Sequence, residues 1–217
     1  MRALLVLIVS LAFIAGCGGD DSETPESVAT GADECASVDA PEARDPEPGE
    51  APAEPLDASK TYTLVFDTSC GSFTVTLDTG LAPKTAASLV ALANAGYFDD
   101  TIFHRVAQGF VIQGGDPTQT GMGGPGYSTV DKPPSDAKYT KGVFAMAKTQ
   151  VEAPGTSGSQ FFVVTAEDAG LPPDYAIVGS VTEGMDTVER IDALGTPGAD
   201  GPPSRPVVIS SVTVTES

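Results

Sequence analysis

The side chains of this chain best suited to chemistry gather in four segments. They are Phe103-His104-Arg105-Val106, then Gly109-Phe110-Val111-Ile112-Gln113-Gly114-Gly115-Asp116, then Gly158-Ser159-Gln160-Phe161-Phe162, and the stretch from Leu171 to Gly179. Together they offer one guanidinium, two carboxamides and a set of apolar and aromatic groups. An arginine is a permanently charged, planar and forked donor, suited to gripping an acceptor that must be bound selectively. Other chemistries are poorly provided for. The chain has 1 histidine, and its 3 cysteines lack the close spacing of zinc sites, so no metal is expected. Gly121-Met122-Gly123-Gly124-Pro125-Gly126 is rich in glycine but lacks the lysine and following helix of a phosphate loop. It reads as a surface loop. Gly155-Thr156-Ser157-Gly158-Ser159 is no nucleophile elbow, because its fifth residue is serine. Strand alternation directs His104 to the face opposite Arg105, which makes it a structural residue rather than a general base.

These residues need a scaffold of strands. Thr61 to Thr68 and Ser72 to Asp78 read as a hairpin, with Phe73, Val75 and Leu77 alternating with threonines. A helix should follow from Pro83, with Ala86, Leu89, Val90 and Ala93 on one apolar face and Gly96 just past its end. Short strands are expected at 102–106, 110–113, 143–147, 160–164 and 176–181. A second helix covers about Met185 to Leu194 and stops at Gly195, and Pro206 to Thr213 forms a last strand. Eight or so short strands, glycine-rich turns and two helices favour a closed antiparallel β-barrel over a sandwich.

The net charge is −19, which argues against nucleic acid as a partner. Much of it belongs to a tail: between Gly18 and Ser59 there are 13 acidic residues and one basic residue, Arg44. From Lys60 onward there are 17 acids and 9 bases, a net of −8. The tail contains no aromatic residue and is expected to be an unstructured, self-repelling spacer, except near Cys35. Ahead of it, Arg2 and the apolar run Ala3 to Ala15 are too short for a membrane-spanning helix but suit a signal peptide. The run ends in Ile14-Ala15-Gly16-Cys17, which resembles a bacterial lipobox. That resemblance implies lipidation of Cys17, which would become the mature N-terminus; the alternative is a secretory signal with an incidental cysteine. The expected organisation is a signal peptide over 1–16, a lipidated linker over 17–59 and a folded domain over 60–217. Outside the reducing cytosol Cys35 and Cys70 can pair as a disulfide, the alternative being two free thiols.

In order and separation the four segments resemble those of the cyclophilins. The F-H-R-V…G-F-x-I-Q-G-G-D run and G-S-Q-F-F carry the likeness, supported by Ala82-Pro83-Lys84-Thr85 before the first helix and Val178-Gly179 before the second. It covers about Tyr62 to Thr213. The resemblance implies an eight-stranded antiparallel β-barrel capped by two α-helices, and a peptidyl-prolyl cis-trans isomerase that needs no cofactor. It implies that Arg105 is the central catalytic residue, donating to the amide nitrogen of a twisted X-Pro bond, and that Gln113 holds a substrate carbonyl or fixes Arg105. Phe110, Val111, Phe162 and Leu171 match the family's proline pocket. Gln160 matches a groove position, Ala147 a position that pairs with peptide backbone, and Tyr175 a pocket position often filled by histidine.

The chain departs from the family in places. Gly170 stands where tryptophan is often found, which opens the pocket rim. Lys148 stands where asparagine is common and is expected mainly to alter local charge. The partners expected are proline-containing exported polypeptides, met outside the cytoplasm by a lipid-anchored monomer. A non-catalytic holdase using the same groove is the alternative, and a solute-binding lipoprotein fits the anchor but not the motifs.

Overall fold

The computed structural model describes residues 35–46 and 48–217. The expected signal peptide and Cys17 lie outside the described residues. In chain order the elements are β1 (Tyr62–Thr68), β2 (Gly71–Leu77), α1 (Pro83–Asn94), β3 (Thr101–Ile102), β4 (Arg105–Ala107) and β5 (Val111–Gly114). There follow β6 (Thr129–Val130), β7 (Val143–Met146), β8 (Thr156–Ser157), β9 (Phe161–Val164), β10 (Ile177–Glu183), α2 (Met185–Asp192) and β11 (Val208–Glu216).

One antiparallel sheet runs in the order β3-β11-β1-β2-β10-β7-β9-β5-β4, and β6 pairs with β8 apart from it. Its two end strands are halves of one bent segment. β3 pairs with β11 and β4 with β5, and only Phe103 and His104 separate them. The Phe103 amide donates to the Val207 carbonyl at 3.0 Å and the Val106 amide to that of Gly201 at 2.7 Å. Residues 101–107 therefore close the sheet on itself, and the nine labelled strands make an eight-stranded barrel.

The bend has a steric cause. Phe103 and Val106 are both buried in the barrel core, so two residues between them must turn outward where alternation allows one. His104 goes to one side and Arg105 to the other. Around Phe103 the core is aromatic. Phe66 stacks on Phe73 with ring centres 4.7 Å apart, and Phe161 sits 4.9 Å from Phe144 and 5.2 Å from Phe66. The regular alternation of β1 and β2 delivers Leu64, Phe66, Phe73 and Val75 to this interior.

The helix α1 begins with Pro83 at its first turn and buries Ala86, Leu89, Val90 and Ala93, as its periodicity predicts. Ala82 cannot cap it, having no side-chain oxygen. Asp131 does so from a distance: its Oδ2 accepts from the Thr85 amide at 2.7 Å and from Thr85 Oγ1 at 2.8 Å. A carboxylate at that end satisfies an orphan amide and meets the positive end of the helix dipole.

The acidic segment differs from expectation. Residues 35–46 and 48–59 are not a free spacer; they belong to the same compact unit as the barrel. Cys35 is buried and forms a disulfide with Cys70 at the β1–β2 turn. Beyond it, the Arg44 amide donates to the Pro117 carbonyl at 3.0 Å and the Gly49 amide to that of Pro125 at 2.8 Å. The Arg44 guanidinium donates to the carbonyls of Tyr97 and Asp99, both at 2.6 Å, just past the end of α1. Leu56 packs on the core. Composition argued for disorder because the segment has little apolar surface to bury. It is held instead by a cross-link, backbone hydrogen bonds and a single cation. Gly126 permits the approach: its φ is +83°, and a β-carbon there would lie 2.6 Å from Pro48 Cβ.

Candidate active site

The site is built on the outer face of the barrel wall formed by β4, β5, β9 and β7. Register puts its central residues in one row: Arg105 lies opposite Gln113, Gln113 opposite Phe162, and Phe162 opposite Ala145. On β5, Val111 and Gln113 face outward while Ile112 points into the core. On β9, Phe161 and Val163 fill the core while Phe162 and Val164 join a second apolar cluster outside. Phe161-Phe162-Val163-Val164 is an unbroken apolar run because both faces of that strand are covered.

Loops cover the outer cluster. Phe110 sits in the turn between β4 and β5, where the Gly109 amide donates to the Asp192 carboxylate at 3.0 Å and the Phe110 carbonyl accepts from the Thr165 amide at 3.0 Å. Thr165 Oγ1 donates to Asp192 as well, at 2.7 Å, so the end of α2 steadies this turn. Tyr139 is fully buried and its hydroxyl donates to the Tyr175 carbonyl at 2.7 Å while accepting from the Tyr175 amide at 3.0 Å. The Tyr175 ring then meets Phe162 edge-on with centres 5.6 Å apart.

Between these groups lies a cavity of about 150 Å³, lined by Arg105, Phe110, Val111, Gln113, Ala147, Lys148, Phe162, Leu171 and Tyr175. Every residue expected at the pocket lines it, as does Ala147, whereas Gln160, expected in the groove, does not. That residue lies in an adjoining cavity of about 470 Å³, whose wall includes Gly121–Ser128 and Glu152. Gln113, Ala147 and Lys148 border both. Gly170 is exposed and lines neither.

A directed chain of hydrogen bonds crosses the site. Arg105 donates through Nη1 to Gln113 Oε1 at 2.8 Å, Gln113 through Nε2 to Gln160 Oε1 at 3.0 Å, and Gln160 through Nε2 to the Gly123 carbonyl at 2.9 Å. Each amide accepts on one side and donates on the other, so the arginine orients both glutamines. Asp116 holds the loop that receives this chain. Its buried carboxylate accepts from the amides of Thr118, Gly121 and Gly123 at 2.8, 2.7 and 3.1 Å. Burial pushes its carboxyl up, but these donors and the Thr118 hydroxyl outweigh it and keep the group below its ordinary value.

Two features escaped the sequence. Asp200 grips Arg105 from the side away from Gln113, accepting from Nε at 2.5 Å and from Nη2 at 2.8 Å. This hydrogen bonding holds the Asp200 carboxyl below its ordinary value. Lys148 does more than alter local charge. Its side chain is only 4 % exposed, with the ammonium 5.3 Å from the centre of the Tyr175 ring and donating to the carbonyls of Thr149 and Glu152 at 3.3 Å. It thus forms a partition between the two cavities. His104 lies on the far side of the bent strand beside Gly121, and neither ring nitrogen has a hydrogen-bond partner among the described residues. No cluster of metal-ligating side chains occurs among the described residues.

An aromatic-lined cavity with an arginine and a glutamine at its edge, on the outside of an eight-stranded barrel, defines a class of protein. The family described as "Cyclophilin type peptidyl-prolyl cis-trans isomerase/CLD" matches residues 63–214. Peptidyl-prolyl cis-trans isomerase A of Mycobacterium tuberculosis is 40% identical over 172 residues, spanning 71% of this chain and 92% of that protein. Peptidyl-prolyl cis-trans isomerase-like 1 of Aspergillus oryzae is 40% identical over 157 residues, with 70% and 96% covered. Among solved structures, a cyclophilin-type isomerase of Cryptosporidium parvum is similar with a TM-score of 0.65 and 30% identity, over 71% of this chain and 98% of that one. A further structure of that protein, obtained in the presence of the dipeptide Ala-Pro, has a TM-score of 0.64. The chain belongs to the cyclophilin-type peptidyl-prolyl cis-trans isomerase family. Its reaction is the cis-trans isomerisation of X-Pro peptide bonds.

Proposed function

We propose that the isomerisation proceeds by selective binding of the twisted amide, with Arg105 as the catalytic donor. The barrier to rotation, about 18–20 kcal/mol, reflects conjugation between nitrogen and carbonyl. At the half-rotated geometry that conjugation is lost and the nitrogen becomes an acceptor. A guanidinium that binds this form more tightly than either planar isomer lowers the barrier, about 1.4 kcal/mol for each tenfold gain. Phe110, Val111, Phe162, Leu171 and Tyr175 receive the proline ring. Gln113 holds Arg105 and meets a substrate carbonyl. Ala147 and Gln160 border the adjoining cavity, where the rest of the peptide lies. One observation carries the reading: Arg105 and Gln113 stand hydrogen-bonded at the edge of a small cavity that Phe110, Val111, Phe162, Leu171 and Tyr175 also line.

The clients in this reading are proline-containing exported polypeptides, and the chain works as a lipid-anchored monomer outside the cytoplasm. What supports this is the apolar run ending in Ile14-Ala15-Gly16-Cys17 and the pairing of Cys35 with Cys70, a bond suited to an oxidising compartment. The Ala-Pro dipeptide used with the Cryptosporidium parvum protein is a suitable minimal ligand.

Two experiments test these statements. Exchange spectroscopy on an X-Pro peptide should show fast cis-trans exchange with the wild type and a loss of at least a hundredfold with Arg105→Ala. Exchange left at the rate of the peptide alone by both proteins would leave only a proline-binding holdase, and equally fast exchange with both would remove Arg105 as the catalytic donor. Separately, Cys17→Ser should move the full chain from the membrane fraction to the soluble one. Retention at the membrane would rule out the lipid anchor at that residue.

A further inference from the structure

Arg105 has two partners, and only one of them lies in the cavity. Gln113 lines it; Asp200 does not. Asp200 lies in the segment between α2 and β11, separated from Arg105 by 95 residues. It is tied to the strand that carries the arginine, because the Val106 amide donates to the carbonyl of the next residue, Gly201, at 2.7 Å. The same segment is braced by the Ser204 amide donating to the Leu194 carbonyl at 2.8 Å. The carboxylate is therefore presented to Arg105 by fixed backbone rather than by a free loop.

Its geometry decides which parts of the guanidinium remain for a substrate. Five N–H groups are available. Asp200 takes Nε–H and one hydrogen of Nη2, and Gln113 takes one hydrogen of Nη1. Two N–H hydrogens remain, one on each terminal nitrogen. A two-point grip on Nε and Nη2 resists rotation of the planar group, whereas the single bond to Gln113 permits it. Asp200 is 59 % exposed, so solvent screening reduces the direct electrostatic pull on the charge, while the directional bonds remain.

We propose that Asp200 is a positioning residue for the isomerisation, holding the Arg105 guanidinium so that its two free N–H groups face the twisted amide. The inference rests on the reading of Arg105 as the catalytic donor. Asp200 does not itself line the cavity, so its removal should lower turnover and leave binding nearly intact.

The test uses the full chain and an Ala-Pro-containing peptide, comparing wild type, Asp200→Ala, Asp200→Asn and Arg105→Ala. Asp200→Ala should slow exchange at saturating peptide about tenfold while peptide affinity stays within about twofold. Asp200→Asn keeps one acceptor and should recover part of that loss. In nitrogen-15 spectra the Arg105 Nε–Hε signal should be protected from solvent exchange in the wild type and lose that protection in Asp200→Ala. Full activity in Asp200→Ala alongside an impaired Arg105→Ala overturns the role of Asp200 and spares that of Arg105. Full activity in Arg105→Ala removes the catalytic reading itself. A parallel loss of turnover and affinity in both Asp200 variants, accompanied by a lower melting temperature, would make Asp200 a structural residue and overturn the proposal.

Discussion

At the scale of single residues, His104 and Arg105 show how neighbours in sequence come to serve different ends. Phe103 and Val106 claim the interior, and the two residues between them leave on different sides. Arg105 faces the cavity, while His104 is turned toward Gly121 and the Asp116 loop. Burial holds the His104 imidazole below its ordinary value of 6.5; the Asp116 charge opposes this and that of Arg105 reinforces it. The unfolded chain therefore takes up a proton at a pH where the folded chain does not. Stability from this source is complete above about 6.5 and is lost as pH falls below it, until the folded group also protonates. His104→Gln should flatten that slope between pH 7.5 and 5.5 in urea titrations; an unchanged slope would place its origin elsewhere. The sequence directed His104 away from Arg105 by strand alternation, whereas the parting comes from the bend between Phe103 and Val106. Asp200 was beyond its reach. Nothing local marks an exposed aspartate whose partner lies 95 residues away.

At the scale of elements, what was legible followed the strength of the pattern. The hairpin of β1 and β2 and the helix α1 have clear periods, and they lie within a residue or two of their expected limits. The pair of β6 and β8 was missed because each has 2 residues, too few to show any period. Residues 35–46 and 48–59 were misread for another reason: disorder was inferred from composition, which counts apolar area but not a cross-link or a well-placed cation. Arg44 stood out in the sequence as the one basic residue among 13 acids, and that isolation was the available clue. The disulfide closes a separation of 35 residues. Cross-links over loops of this order stabilise by about 2–4 kcal/mol, mainly by restricting the unfolded chain. Cys70→Ser should lose about that much in urea unfolding, and so should the wild type after reduction. A difference below about 0.5 kcal/mol would mean that the segment contributes its hydrogen bonds without the cross-link.

At the scale of the molecule, the barrel presents two environments on opposite sides of one wall. Inside is a tightly packed aromatic core; outside, the same strands carry the row from Arg105 to Ala145. That row could be read from sequence only through the family resemblance, since periodicity reveals which residues alternate but not which strands become neighbours. The bond between Cys35 and Cys70 has a mechanical consequence for this arrangement. A pull on the chain from ahead of Cys35 passes through sulfur directly to the β1–β2 turn, and the segment between the cross-link and β1 is bypassed. The contacts of Arg44 and Gly49 with the cavity-side loop are thereby shielded from tension, so tugging at the N-terminal end would leave the catalytic face undistorted.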